Sequence, residues 1–223
     1  MKKIGFITIG QSPRTDVIKD IRGILGGEIE IVECGVLDDV TSDEIKKMGE
    51  EGDNIYVTRL RDGTPVKISV EMALVGVYEC VKKLDEECHI IVILCTGDFP
   101  NINSRRIIIE SSKLLKNMVY SIVTKGKIGV VIPSEKQVDM AIEKWRRSGI
   151  EPLIEVVSPY EEIDENKILE ISKRFREAHV NLIILDCIGY SYSLKRKISS
   201  VTNLPVLLPR TIIARTLKEL LDI

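Results

Sequence analysis

Ile90-Ile91-Val92-Ile93-Leu94-Cys95-Thr96-Gly97 is an apolar run that ends on a cysteine, and Leu182-Ile183-Ile184-Leu185-Asp186-Cys187-Ile188-Gly189 repeats the pattern later in the chain. Apolar runs of this length, closed by a glycine, read as strands buried on both faces of a parallel sheet. Each cysteine then falls just past the carboxyl end of its strand, the edge where open α/β sheets gather their ligands. Two such cysteines in matching places predict one site with a thiol on each side.

Other segments repeat in the same order. Lys3-Ile4-Gly5-Phe6-Ile7-Thr8-Ile9 opens the chain, and Lys127-Ile128-Gly129-Val130-Val131-Ile132 reopens it near the middle. Both run into a proline and a polar helix start, Gly10-Gln11-Ser12-Pro13-Arg14 in one case and Pro133-Ser134-Glu135 in the other. The opening strands lie farther apart than the cysteines do, so the first half carries roughly 30 extra residues if each half is one α/β unit. The pattern predicts an α/β fold of two similar lobes related by a pseudo-twofold. Each lobe is a parallel sheet flanked by helices, with the site between them. Residues 1–115 are expected to form the first lobe and 116–208 the second, with the closing helix 209–223 free to return to the first.

Composition narrows the function classes. A formal net charge of −2 and 4% aromatic residues argue against a nucleic-acid partner, which requires a basic excess and stacking platforms. No apolar run reaches the roughly 20 residues of a membrane helix. The chain is read as opening directly on a strand, so no signal peptide is expected. Five cysteines, at 34, 80, 88, 95 and 187, are an odd number in a chain large enough to do without cross-links. They predict free thiols and a cytoplasmic location. No Cys-x-x-Cys pair proposes a metal, and no cofactor motif is present.

Between the landmark strands, Ser12 and Pro13 are placed to open a helix, and Glu28–Cys34 reads as a second strand. Thr41-Ser42-Asp43-Glu44 is a capping box. The segments 56–60 and 65–70 flank Asp62-Gly63 as a hairpin inside the extra residues of the first half. A long helix to about Glu86 follows, then the Cys95 strand and a helix from Ser104 to about Thr124. In the second half, Ser134 and Gln137 form a capping box. A strand near 153–157, a helix from about Asp164 to Ala178, the Cys187 strand, a basic helix, a strand at 205–208 and a closing helix complete the pattern.

The two thiols carry the candidate chemistry. A cysteine at a strand end lies near unpaired backbone N–H groups, which favour the thiolate and lower its pKa, and which also bind carboxylates. A substrate held between Cys95 and Cys187 could lose a proton to one thiolate and regain it from the opposite thiol, inverting the carbon. The alternative is that both cysteines pack as small hydrophobes. His89 and His179 lie at the amino ends of their strands, so neither forms a dyad with the cysteine on its own strand. Cys34 reads as buried, and Cys80 and Cys88 as structural. Gln11, Ser12 and Arg14 leave the first strand at the site edge, where Arg14 could pair with a carboxylate; the competing reading is a capped helix with a solvated arginine. Thr96 and Gly97 offer backbone donors, Asp98 a second acid, and Gly189 a donor beside Cys187. Alternation turns Asp186 to the other face. The basic stretches after each cysteine read as solvated helix faces.

The segments ITIGQSPRTD (7–16), ILCTGDFP (93–100) and LDCIGYS (185–191), with VLLPRTIIARTLKELL (206–221), resemble the AroM family. That resemblance implies membership of the wider aspartate/glutamate racemase superfamily, with hydantoin racemases, maleate isomerases and arylmalonate decarboxylases. It implies two α/β lobes enclosing the site and catalytic cysteines in opposite lobes, which map onto Cys95 and Cys187. Amino-acid racemases of the superfamily read Cys-Asn-Thr and Cys-Thr-His there, where this chain has Cys95-Thr96-Gly97 and Cys187-Ile188-Gly189. The substrate is therefore left open. The leading expectation is a cofactor-independent racemase or epimerase acting beside a carboxylate or carbonyl, on a small carboxylate-bearing molecule. Thiol-dependent isomerisation or decarboxylation is the second expectation, and a non-catalytic binding or regulatory protein the third. A homodimer is the default assembly.

Overall fold

A computed structural model describes residues 2–26, 29–41, 43–45, 54–100, 102–146 and 150–223. The fold is α/β, with two lobes built on one topology. In the first lobe, β1 (Lys3–Thr8), β2 (Glu30–Gly35), β5 (Ile90–Leu94) and β6 (Ile107–Glu110) form a parallel sheet in the order β2-β1-β5-β6. In the second, β7 (Lys127–Ile132), β8 (Glu151–Val156), β9 (Leu182–Leu185) and β10 (Val206–Leu207) run β8-β7-β9-β10, also parallel. Numbered within its own lobe, each sheet has the order 2-1-3-4. The strand order reverses between the first and third strands, which places the ligand crevice beside both cysteine strands. An antiparallel hairpin, β3 (Ile55–Arg59) and β4 (Pro65–Ser69), supplies the extra residues of the first lobe.

Strand alternation divides the core. Ile91 and Ile93 pack with Ala73, Val77, Val81 and Leu84 of α2 (Val70–Asp85). Ile90, Val92 and Leu94 point the other way, onto α1 (Thr15–Leu25) and α7 (Pro209–Leu221). The second lobe repeats this arrangement. Ile183 and Leu185 meet α5 (Glu165–Glu177) and α6 (Tyr192–Thr202), while Leu182 and Ile184 meet α3 (Ser111–Ile122) and α4 (Val138–Arg146). Gly5 and Gly129 occupy the same place in the two opening strands. A Cβ there would lie 2.9 Å from Leu84 and 2.8 Å from Phe175, so each glycine lets the helix of its own lobe approach the sheet closely.

The closing helices are exchanged. Helix α3 ends the first lobe's chain but buries Leu115 and Val119 against the second sheet. Helix α7 ends the second lobe's chain but buries Ile213, Ala214, Leu217 and Leu221 against the first.

Several sequence expectations are corrected. Residues 104–110 are not helical: Ile107–Glu110 pairs with β5 as an edge strand, which suits three consecutive isoleucines, and α3 begins only at Ser111. Ser12 does not cap α1. The Ser12–Pro13 bond is cis, the helix starts at Thr15, and the Ser12 hydroxyl donates to Asp38 at 2.7 Å. Ser134 makes no side-chain cap, and Gln137 ends a short 3₁₀ turn, Glu135–Gln137, and reaches the hairpin instead. Cys34 and Cys80 are joined by a disulfide between β2 and α2, against the expectation that every thiol is free. The Thr41/Glu44 capping box forms, although Ser42 and the continuation past residue 45 lie outside the described residues, as does Glu28 of the expected second strand. Among the described residues no helix is long and apolar enough to cross a membrane.

Candidate active site

Both cysteines open onto one cavity of about 180 Å³ between the lobes. That is slightly more than the 150 Å³ or so that accommodates benzene in an apolar protein interior, so the space suits a small organic acid or a compact ring. Cys95 and Cys187 are 8% and 6% exposed. Each sits two residues before a glycine whose N–H donates back to its sulfur, Gly97 to Cys95 at 3.3 Å and Gly189 to Cys187 at 3.4 Å.

A cation, partly buried in one case and fully buried in the other, holds the carbonyl of the peptide that carries each of these N–H groups. Lys144 donates to the Thr96 carbonyl at 2.8 Å, and Arg210 donates twice to the Ile188 carbonyl, at 3.1 and 2.6 Å. A cation on the carbonyl fixes the peptide plane and polarises its N–H toward the sulfur. A tyrosine packs on each glycine. A Cβ on Gly97 would lie 2.4 Å from the Tyr56 hydroxyl, and one on Gly189 would lie 2.9 Å from the Tyr160 hydroxyl. Tyr56 comes from the hairpin and Tyr160 from the segment after β8, so the two halves of the site repeat each other. Burial raises both phenols above their ordinary pKa, with Cys95 and then Asp98 adding to Tyr56, and with Cys187 adding to Tyr160. They therefore stand as neutral donors at neutral pH.

The thiols are not poised as thiolates, which corrects the expectation of lowered pKa values. Burial pushes Cys95 up to about 12; the Gly97 N–H and Lys144 pull it down, while Cys187 and Asp186 push it up. Burial also raises Cys187, with the Gly189 N–H, Arg14 and Arg210 pulling the other way. For both buried thiols the desolvation penalty on the thiolate exceeds the help from the strand-end donors.

Of the residues singled out in the sequence, Cys95, Thr96, Gly97, Asp98 and Cys187 line the cavity. Asp98 is stiffly held: Ser112 and Lys116 bind its carboxylate at 2.6 and 2.7 Å and outweigh burial, keeping its pKa low. Gly189 stands behind Cys187. Gln11, Ser12 and Arg14 do not line the cavity. Gln11 bridges Leu37 and Arg61, and the Ser12 carbonyl accepts from Arg61, so this loop clamps the hairpin that brings Tyr56 and Thr58 to the site. Arg14 is buried and bidentate to Asp16, both bonds 2.9 Å. Asp186 does face the cavity, contrary to simple alternation, because the strand ends at Leu185. Its carboxylate is bound by Lys144 at 2.8 and 2.9 Å and by Trp145 at 3.0 Å. The basic Ser104-Arg105-Arg106 stretch is not a solvated helix face but wraps Asp85. Lys144, Arg210, Tyr56 and Tyr160 escape a reading of the sequence, since each reaches the site only through tertiary packing. The one available sign was the placement of Tyr56 and Tyr160 in corresponding connections, after the second sheet strand of each half; Lys144 and Arg210 lie on helices after the first and the last strand of the second half and have no such correspondence. Among the described residues no histidine lines the cavity, and no group of three His, Cys, Asp or Glu side chains is placed to hold a metal.

Residues 4–221 match the family described as AroM protein. No curated protein matches the chain in sequence. Among solved structures, allantoin racemase from Pseudomonas fluorescens is similar at a TM-score of 0.67 with 14% identity, over 99% of this chain and 91% of that one. Maleate isomerase from Pseudomonas putida S16 gives 0.66 and 14%, over 100% and 93%. Glutamate racemase from Aquifex pyrophilus gives 0.59 and 17%, over 98% and 83%. At these identities the likeness establishes a shared fold.

Proposed function

The chain belongs to the AroM protein family, and on that premise we propose that it is a cofactor-independent racemase or epimerase acting at a carbon beside a carboxylate or carbonyl. One observation carries this reading: two thiols from equivalent positions of two lobes line one small cavity, each with its own glycine N–H, cation-held peptide and tyrosine. In the reaction one thiolate takes the proton from the carbon; the C–H bond breaks, an S–H bond forms, and the electron pair moves into the adjacent carbonyl as an enolate. The opposite thiol then gives its proton to the other face, so its S–H bond breaks and a C–H bond forms. The product is inverted and the protonation states of the two sulfurs are exchanged.

Thr96, Gly97 and Asp98 border the substrate, and the hydroxyls of Tyr56 and Tyr160 are assigned as donors to the developing enolate oxygen, that of Tyr56 turning to it from the Asp98 carbonyl 3.5 Å away. The raised thiol pKa values fit the task. A thiolate formed in this cavity is a stronger base than an ordinary one. Cys187 also disfavours ionisation of Cys95 through its own charge, so the two sulfurs do not ionise together: when one is a thiolate the other stays a thiol, the pairing the reaction needs. Gln11, Ser12 and Arg14 act by holding the hairpin and the first strand's loop rather than by touching substrate.

The test is proton exchange in deuterated water with a panel of amino acids, hydroxy acids and hydantoins, followed by NMR. Exchange in the wild type that is lost in both Cys95→Ser and Cys187→Ser supports two-thiol chemistry. Turnover that survives loss of one thiol, by isomerisation or decarboxylation, moves the assignment to the single-thiol reading, for which the strongly protonated Cys95 is a suitable donor. Ligand binding indifferent to both substitutions, without turnover, supports a binding protein instead.

A further inference from the structure

A molecule that enters this cavity through a carboxylate or carbonyl needs a donor on the wall that is free to meet it. Most polar side chains there are already engaged. The Thr96 hydroxyl donates to the Asp186 carbonyl at 3.1 Å, and Lys144 directs its N–H groups to the Asp186 carboxylate and the Thr96 carbonyl. The Gln137 amide donates to the Ile55 carbonyl at 3.1 Å. The Thr58 hydroxyl is buried at Gly10, where a Cβ would come within 2.5 Å of it, and is closed to the cavity. The Tyr56 hydroxyl has the Asp98 carbonyl at 3.5 Å. Tyr160 differs from all of these: its hydroxyl meets a donor, Arg14, and no acceptor among the described residues.

What stands behind Tyr160 decides where its proton points. Arg14, just ahead of α1, is 2% exposed, and its guanidinium lies against the Tyr160 hydroxyl of the other lobe. Its remaining contacts are Asp16, bound twice at 2.9 Å, and the Thr8 hydroxyl at 3.3 Å. A guanidinium only donates, so the phenol oxygen accepts from it and the O–H turns elsewhere. The Gly189 side is closed, since a Cβ there would lie 2.9 Å from the hydroxyl, and the open side is the cavity that Tyr160 lines. A phenol that accepts from a cation is also the stronger donor. Asp16 balances the charge of Arg14, so the influence passes through this contact rather than as free charge.

We propose that Tyr160 receives a carboxylate or enolate oxygen of the bound molecule, and that Arg14 is the positioning residue that aims the Tyr160 O–H into the cavity. The inference rests on the reading of the cavity as a carbon-acid site and divides the work of its two tyrosines. Tyr160 is ready before the ligand arrives and contributes to binding. Tyr56 has first to leave the Asp98 carbonyl, so it joins as charge develops on the oxygen and contributes to rate. The loop that opens the first lobe thereby reaches the ligand through a side chain of the second.

The experiment labels the phenol carbon of the six tyrosines in the whole protein and follows them by NMR. The Tyr160 and Tyr56 signals are assigned by their loss in Tyr160→Phe and Tyr56→Phe. The amino acids and hydroxy acids of the exchange panel, with pyruvate added, are titrated in, and proton exchange is followed in the same mixtures. Every carboxylate that binds is expected to shift the Tyr160 signal saturably. Tyr160→Phe is expected to weaken binding about tenfold or more, as loss of a hydrogen bond to a charged group does. Tyr56→Phe is expected to change binding by less than about threefold while slowing exchange. Arg14→Met is expected to move the Tyr160 signal in the empty protein and to weaken binding as Tyr160→Phe does. The double substitution then binds no worse than Tyr160→Phe alone, whereas an Arg14 with only a structural role would add its own loss. Arg14→Lys keeps a charge for Asp16 and serves the same comparison where Arg14→Met does not fold. Binding that shifts Tyr56 and leaves Tyr160 still, unchanged affinity in Tyr160→Phe, or no carboxylate binding at all overturns the assignment. The exchange signal is read separately. A Tyr160 shift without exchange upholds the assignment and removes the racemase, whereas exchange indifferent to Tyr160→Phe keeps the racemase and overturns the assignment.

Discussion

Cys95 shows how one local environment decides both reactivity and stability. Its sulfur accepts from a backbone N–H and lies near Lys144, yet burial dominates and its pKa is pushed up to about 12. At neutral pH the thiol is therefore protonated, and its thiolate fraction grows about tenfold per pH unit until that value is approached. Alkylation of Cys95 by iodoacetamide, read by peptide mass spectrometry, is expected to be slow at pH 7 and still climbing at pH 10. A rate that levels off near pH 8.5 would show an ordinary exposed thiol. The same shift sets a stability trend. The unfolded chain's thiols ionise from about pH 8.5, while the folded ones stay neutral, so the unfolded state binds fewer protons above that point. Stability from the two thiols is intact below about pH 8.5 and is lost as pH rises toward the folded values. Gly97 sets the position of the other donor. A methyl group there would lie 2.3 Å from the Tyr56 ring, so Gly97→Ala is expected to displace that tyrosine and to cost about 1–3 kcal/mol in urea unfolding.

At the scale of elements, the two Cys-x-Gly turns depend on cations borrowed from helices, Lys144 from α4 and Arg210 from α7. Lys144 also neutralises the buried Asp186, whose side chain is only 4% exposed. Lys144→Met leaves that carboxylate with Trp145 alone among the described residues, and breaking such a buried pair is expected to cost about 3–5 kcal/mol. It also removes the charge that favours a Cys95 thiolate, so its alkylation profile moves to higher pH; Lys144→Arg is expected to restore part of both. Strands and repeat were readable because an apolar run ending on Cys-x-Gly depends on local order, and both halves carry it. The edge strand Ile107–Glu110 was hidden because its continuation into α3 reads as one helix. The disulfide was invisible for a different reason: Cys34 and Cys80 are 46 positions apart, and only the packing of α2 on β2 brings them together. Closing a loop of that length is worth about 4 kcal/mol in the chain-entropy account. Reduction with dithiothreitol, or Cys80→Ser, is accordingly expected to lower the urea midpoint without shifting the circular dichroism spectrum. An unchanged midpoint would mean that the pair contributes no constraint to the folded chain.

For the whole molecule, the exchange of closing helices governs how the two lobes cohere. Each sheet is covered on one face by the helix that ends the other lobe's chain, so neither lobe completes its own core. Arg210 reinforces this from within α7. It is buried and donates to Asp16 and Asp20 of α1 on one side and to Ile188 beside Cys187 on the other. The helix that finishes the first lobe's core therefore also sets the second lobe's thiol turn, and folding and site assembly become one event. Deleting residues 209–223 exposes the surface covered by Ile213, Ala214, Leu217 and Leu221. At about 1.5–3 kcal/mol for a buried branched side chain, the loss rivals the roughly 5–15 kcal/mol that holds a domain folded. The fragment 1–208 is expected to bind 1-anilinonaphthalene-8-sulfonate and to unfold without a sharp transition, whereas the full chain melts in one step. If 1–208 instead melts cooperatively within a few degrees of the full chain, the lobes are independent units and α7 is an accessory. Supplying the 209–223 segment as a separate peptide distinguishes loss of the core from nonspecific aggregation. Recovery of the sharp transition, with the slow Cys187 alkylation of the intact protein, would locate the coupling in this helix.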